Sequence, residues 1–134
     1  MKDKLLRKPE RDMHASGIAK VLELFFGGNH KVKAAVLFDR TGEAVDYHAY
    51  IDPYEARLLA AYNGIIFTMA EYKLKWLEDA TVHMIEITTD GSDMVTVPVI
   101  EDFYLVVSME AGALDERLLD TIAGSVEALQ QEIG

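Results

Sequence analysis

The 134-residue sequence predicts a single α+β domain, with helices packed on an antiparallel five-stranded sheet. Three observations lead there. Apolar residues recur at a helical period in three stretches and gather in five short β-rich runs between turn signals, in the order helix, two strands, helix, three strands, helix. Short turn-forming clusters separate most of the strands, which suits hairpins rather than parallel crossovers. Half of the residues are hydrophobic, so a chain of this length can bury a sizeable core without a disulfide or a metal.

Helix one is expected from Ala15 to Phe26, where Ile18, Val21, Leu22, Phe25 and Phe26 recur at helical spacing and Gly27-Gly28-Asn29 stops the run. Lys33 to Phe38 and Ala44 to Ile51 read as strands, joined by the turn residues Asp39-Arg40-Thr41-Gly42. Asp52-Pro53-Tyr54-Glu55 is the strongest local signal. Asp52 can accept from the orphan amides, Pro53 pre-sets φ at the first helical position, and Glu55 sits where a capping box needs it. Helix two therefore starts near Pro53 and runs to the region of Tyr72 to Trp76. Strands follow at Thr81 to Thr89, Met94 to Ile100 and Phe103 to Met109, punctuated by Asp90-Gly91-Ser92-Asp93 and Glu101-Asp102. Pro98 removes a ladder donor, so its strand must carry a bulge or an unpaired position there. Asp115 caps a third helix to Ile133, with Leu118, Leu119, Ile122, Val126, Leu129 and Ile133 on one side.

Residues 1 to 40 carry a net charge of +4 and residues 41 to 134 a net charge of −14. An acidic body repels phosphate backbones, which disfavours a nucleic-acid role. The basic residues Lys2, Lys4, Arg7, Lys8 and Arg11 are interleaved with acids and broken by Pro9, so residues 1–12 read as a solvated tail and residues 13–134 as the domain. The absence of cysteine excludes thiolate zinc sites, cysteine nucleophiles and iron–sulfur clusters. No apolar run approaches the roughly 18 residues of a membrane span, and Leu5-Leu6 is too short for a secretory signal, so a cytoplasmic protein without membrane insertion is expected.

Catalysis finds little support. No two of His14, His30, His48 and His83 share a helical turn as a metal pair would, and none of the four serines lies in a nucleophile elbow. His48 and His83 read as ordinary, partly exposed strand histidines. Asp90-Gly91-Ser92-Asp93 lacks the later acidic ligands of a calcium loop and fits a hairpin turn better. No phosphate-binding glycine pattern is present. The expectation is a non-enzymatic protein with no metal and no cofactor.

In Val32-Lys33-Ala34-Ala35-Val36-Leu37-Phe38-Asp39-Arg40-Thr41-Gly42-Glu43-Ala44-Val45, in the alanine-rich helix after Asp52, and in Phe103-Tyr104-Leu105-Val106-Val107 before the last helix, the chain resembles the roadblock/dynein light chain family over residues 15 to 133. That resemblance implies the sheet order 2-1-5-4-3, with helix two on one face and helices one and three on the other. It also implies a dimer in which the third strand and helix two meet their symmetry mates, and a non-catalytic platform for a partner. A Ras-like small GTPase, with its hydrolysis stimulated or one state stabilised, is the leading expectation. The alternative is a light-chain-type adaptor that takes a partner peptide at a sheet edge. A small-ligand sensor or enzyme stands third.

On a helical wheel, Leu58, Leu59, Ala61, Tyr62, Ile65, Ile66, Met69, Ala70 and Tyr72 occupy roughly half the circumference of helix two, an arc expected to cover the sheet. Ala56, Ala60, Phe67 and Leu74 lie beside it, so the apolar zone exceeds one sheet face and implies a second buried surface. Ala60, Gly64 and Thr68 form a row of small residues at i, i+4 and i+8 that admits another helix closely. With Phe67, and with His83, Ile85 and Ile87 on one side of the third strand, they are the candidate dimer seam. Its alternative is that Gly64 gives room to a neighbour within the same subunit. Arg57, Glu71 and Lys75, on the polar strip, are candidate partner contacts. Arg57 is the sole arginine between residues 41 and 116, and reads equally as a helix-surface ion partner.

Overall fold

Eight elements follow one another in the computed structural model, which describes residues 17–27 and 31–134: α1 (Gly17–Gly27), β1 (Val32–Asp39), β2 (Ala44–Ala49), α2 (Pro53–Glu78), β3 (Ile85–Thr88), β4 (Ser92–Ile100), β5 (Phe103–Glu110) and α3 (Glu116–Ile133). The expected tail at 1–12, His14 and His30 lie outside the described residues.

Local chemistry explains most boundaries. Asp52 is extended and its side chain accepts from the Tyr54 amide, with Pro53 opening α2. At the far end Asp79 adopts a left-handed conformation, φ 53°, and its amide closes onto the carbonyls of Leu74 and Lys75. Asp115 caps α3 by accepting from the Leu118 amide at 2.8 Å. Between β1 and β2, Asp39 Oδ1 accepts from the amides of Thr41 and Glu43, and Gly42 takes a φ of 84° that favours glycine. Burial pushes the Asp39 carboxyl up, but these amides and the Thr41 hydroxyl outweigh it and hold it below its usual value.

The strands form one antiparallel sheet in the order β2-β1-β5-β4-β3, as the resemblance implies. Its central strands β1 and β5 serve two cores, because successive side chains point to opposite faces. On one face Ala35, Leu37, Leu105 and Val107 pack with Leu22 and Phe25 of α1 and Leu118, Ile122 and Leu129 of α3. On the other, Ala34, Val36, Phe38, Tyr104 and Val106 pack under Ala56, Ala60 and Phe67 of α2.

Pro98 sits beside the expected irregularity, a register shift between Pro98 and Ile100. The Val99 carbonyl accepts from Gln130 Nε2 of α3 at 2.6 Å. The same proline corrects the third strand, which begins at Ile85 rather than Thr81. Ile85 pairs with Thr96, so a longer ladder would set His83 against Pro98, which has no N–H to offer. The β3–β4 turn also differs from expectation. Thr89 and Ser92 close it, with the Thr89 amide and hydroxyl both donating to the Ser92 carbonyl, while Asp93 already belongs to β4.

Candidate functional site

Which face of α2 meets the sheet decides what the chain offers to a partner. The buried positions are Ala56, Ala60, Asn63, Gly64 and Phe67, with Ala60 and Phe67 at 0% exposure. This corrects the expected seam: Ala60, Gly64 and Phe67 belong to the core of their own subunit. The reason is a close approach. A Cβ on Gly64 would stand 2.9 Å from the Gly42 Cα, so the helix lies nearly in backbone contact with the β1–β2 turn. Thr68 is half-buried beside this row and its hydroxyl donates to the Gly64 carbonyl at 2.8 Å. Asn63 anchors the same face to the sheet. Its Nδ2 donates to the Leu59 carbonyl at 2.8 Å, and its Oδ1 accepts from the buried Thr96 hydroxyl at 3.2 Å.

The large apolar residues expected to cover the sheet instead point outward. Tyr62, Ile65, Ile66, Met69 and Tyr72 are exposed, and the stripe continues through Trp76 and Leu77, with Tyr72 at 76% and Trp76 at 79%. Every residue from Tyr72 to Glu78 is exposed, so the last two turns of α2 stand clear of the sheet. Beside the other end of the stripe, Leu58, Leu59 and Tyr62 of α2 face Met94 and Ser92 of β4 and Ser108 of β5 across a groove of about 360 Å³. The sequence carried the signal for this surface, an apolar arc too wide for one sheet face, but on the opposite side of the helix.

Among the other candidates, Ile85 and Ile87 lie half-buried on the edge strand β3, while His83 is exposed in the segment before it. Arg57 is exposed, with its guanidinium carbon 5.9 Å from the centroid of the Tyr47 ring. Lys75 is exposed in the last turn of α2. Glu71 is engaged within its own protomer, where Oε1 accepts from the Tyr104 hydroxyl at 3.0 Å and from Arg40 Nη1 at 3.4 Å. Arg40 also donates through Nε to Asp102 at 2.8 Å. This four-residue cluster ties α2 to the β1–β2 and β4–β5 turns, and no sequence spacing announced it. Burial, then the hydrogen bond to Glu71, pushes the Tyr104 phenol up to about 12. The hydrogen bond to Asp102 raises Arg40 above its ordinary value.

His48 is buried, not partly exposed as expected, with the Phe26 ring of α1 4.6 Å from its own. Among the described residues, no group of three His, Asp or Glu could hold a metal ion, and no helix is long and apolar enough to cross a membrane.

No protein-family model matches the chain, and no curated protein matches it in sequence. Its architecture does match solved structures. The Roadblock/LC7 domain from Streptomyces avermitilis superposes with a TM-score of 0.77 at 16% identity, over 85% of this chain and 95% of that one. The gliding protein MglB from Thermus thermophilus gives 0.76 at 17% identity, over 93% and 96%. A further MglB structure, in a tetrameric arrangement, gives the same score, identity and coverage. The chain has the roadblock fold.

Proposed function

We propose that this chain is a non-catalytic, homodimeric platform that binds a Ras-like small GTPase and regulates its nucleotide state. The observation that carries self-association is the outward apolar stripe of α2, which leaves Tyr62, Ile65, Ile66, Met69, Tyr72, Trp76 and Leu77 exposed on one side of one helix. The tetrameric arrangement of one MglB structure is in keeping with assembly on this fold. The GTPase itself follows from the roadblock resemblance.

Regulation on such a platform is positional. A dimer surface can shift a GTPase between conformations only by the ratio of its affinities for them, so binding must differ between the GDP and GTP states. Arg57 and Lys75, both exposed on α2, are the proposed contacts. An acidic body favours a basic partner surface as a matter of association rate.

The test is a pull-down with tagged protein from native lysate, divided between GDP and a non-hydrolysable GTP analogue, with the mass of the assembly measured in parallel. Enrichment of a small GTPase in one nucleotide state supports the proposal. Recovery of the same non-GTPase partner in both states refutes it in favour of a peptide adaptor, for which the β3 edge, with Ile85 and Ile87 half-buried, is the place to look.

A further inference from the structure

The chain has no cysteine, so its only sulfur is in six methionines. The four that lie among the described residues are graded in exposure. Met109 is fully buried in the core under α1 and α3. Met94 is half-buried against the opposite core, with its sulfur 3.6 Å from the Asn63 Nδ2 donor. Met84, in the segment before β3, is 44% exposed, and Met69 of α2 is 53% exposed. Met69 also stands apart in its setting. Tyr62, Ile65, Ile66, Tyr72 and Trp76, all exposed, lie three, four or seven residues from it along the helix, so its thioether occupies the middle of the outward stripe.

We infer that Met69 is an oxidation site through which hydroperoxides control self-association. The thioether sulfur attacks the outer oxygen of the peroxide, and an S–O bond forms as the O–O bond breaks. The sulfur loses two electrons, the hydroperoxide proton moves to the leaving oxygen, and water or an alcohol departs. A flexible apolar side chain has then become a strongly polar sulfoxide at the centre of the stripe. Left exposed, as in the protomer, the sulfoxide is hydrated and harmless to the fold. Covered by a second copy, it loses that hydration, which opposes assembly. This rests on the self-association proposed above and adds what regulates it. The coupling runs both ways. An assembly that covers the stripe shields the sulfur, so peroxide acts on the free protomer, and the product withdraws that protomer from assembly. In the protomer the same side chain is open to a methionine sulfoxide reductase, so the change is reversible.

The intact chain is treated with hydrogen peroxide over a series of protein concentrations. Peptide mass mapping follows the gain of oxygen at each methionine, and sedimentation velocity gives the dimer fraction before and after. Met69 is expected to oxidise ahead of Met94 and Met109, at a rate that falls as the dimer fraction rises. Oxidation is expected to raise the dimer dissociation constant at least about 10-fold, toward the lower end of what burying an unpaired polar group costs, and sulfoxide reductase to restore it. Met69→Leu, a swap that nearly conserves volume, is expected to associate as the parent does and to keep its dissociation constant through peroxide treatment. Met84→Leu is expected to leave the response in place. A dissociation constant unmoved by Met69 oxidation, a response that survives in Met69→Leu, or a loss of helical circular dichroism on oxidation overturns this inference and leaves the dimer standing. A monomer at every concentration overturns both.

Discussion

Replacing Gly64 by alanine sets two opposed effects against each other at one atom. In an open helix the change stabilises by about 1 kcal/mol, since alanine loses less backbone entropy. Here the new methyl would meet the Gly42 Cα at 2.9 Å, the Gly42 nitrogen at 3.4 Å and Phe38 Cε2 at 3.5 Å. Carbon atoms normally rest near 3.5–4.0 Å, so the helix or the turn must move by roughly 0.5–1 Å. The turn resists. Gly42 is held at φ 84°, and a Cβ placed on it would itself stand 3.1 Å from the Ala61 Cα. Overpacking of this kind costs about 1–3 kcal/mol, so the net expectation is a loss of about 1 kcal/mol. Gly124→Ala is the matched control, because a Cβ there meets nothing within 4 Å in the interior of α3, and it should gain about 1 kcal/mol. Urea unfolding at one fixed protein concentration is the assay, since self-association adds to apparent stability. The Gly64→Ala midpoint should fall by about 0.5 M with m unchanged, and that of Gly124→Ala should rise by a similar amount. If Gly64→Ala is neutral or stabilising, the inward placement of the Gly64 row is wrong, and with it the argument that the opposite side of α2 is the free one.

Asn63→Ala should cost about 2 kcal/mol, because the buried Thr96 hydroxyl loses its acceptor; in a double-mutant cycle, Asn63→Ala with Thr96→Val should cost less than the two separate losses together. The Tyr104 phenol titrates near 12 in the folded chain against about 10 unfolded, so its contribution is complete below about pH 10 and fades as pH rises to 12. A fall of about 2 kcal/mol over that interval, reduced in Tyr104→Phe, is the expected result; equal slopes in the two proteins would refute it. Asp115→Ala should lower stability by about 1 kcal/mol through loss of the α3 cap, measured by the same urea midpoint.

The element order was legible because the chain marks it locally. Asp52-Pro53 and Asp115 each place an acceptor ahead of an apolar helical period, and Pro98 marks a break that the ladder does contain. Sheet order was not legible from spacing. It entered through resemblance, since hairpin periodicity says which residues alternate but not which strands become neighbours. The facing of α2 was misread for a definite reason. A wheel assigns the widest apolar arc inward, whereas α2 meets the β1–β2 turn at Gly64 and seats Ala56, Ala60, Asn63 and Phe67 on the same side, so that arc faces outward. The cluster of Arg40, Glu71, Asp102 and Tyr104 joins residues up to 64 positions apart, and single charged residues on separate elements carry no periodic trace of such a meeting.

The overhang of α2 also makes the chain its own gauge of occupancy. A helical segment as short as Tyr72 to Glu78 would not persist by itself, so in a lone protomer its amides are shielded only by continuity with the seated turns and by the Asp79 cap. Fraying from that end lets deuterium in well before the rest of the helix opens. Anything that grips the overhang slows that exchange, whatever its identity. A time course of isotope uptake over one peptide from the end of α2 therefore reports how much of the protein is engaged, with no label, no variant and no need to identify the partner first.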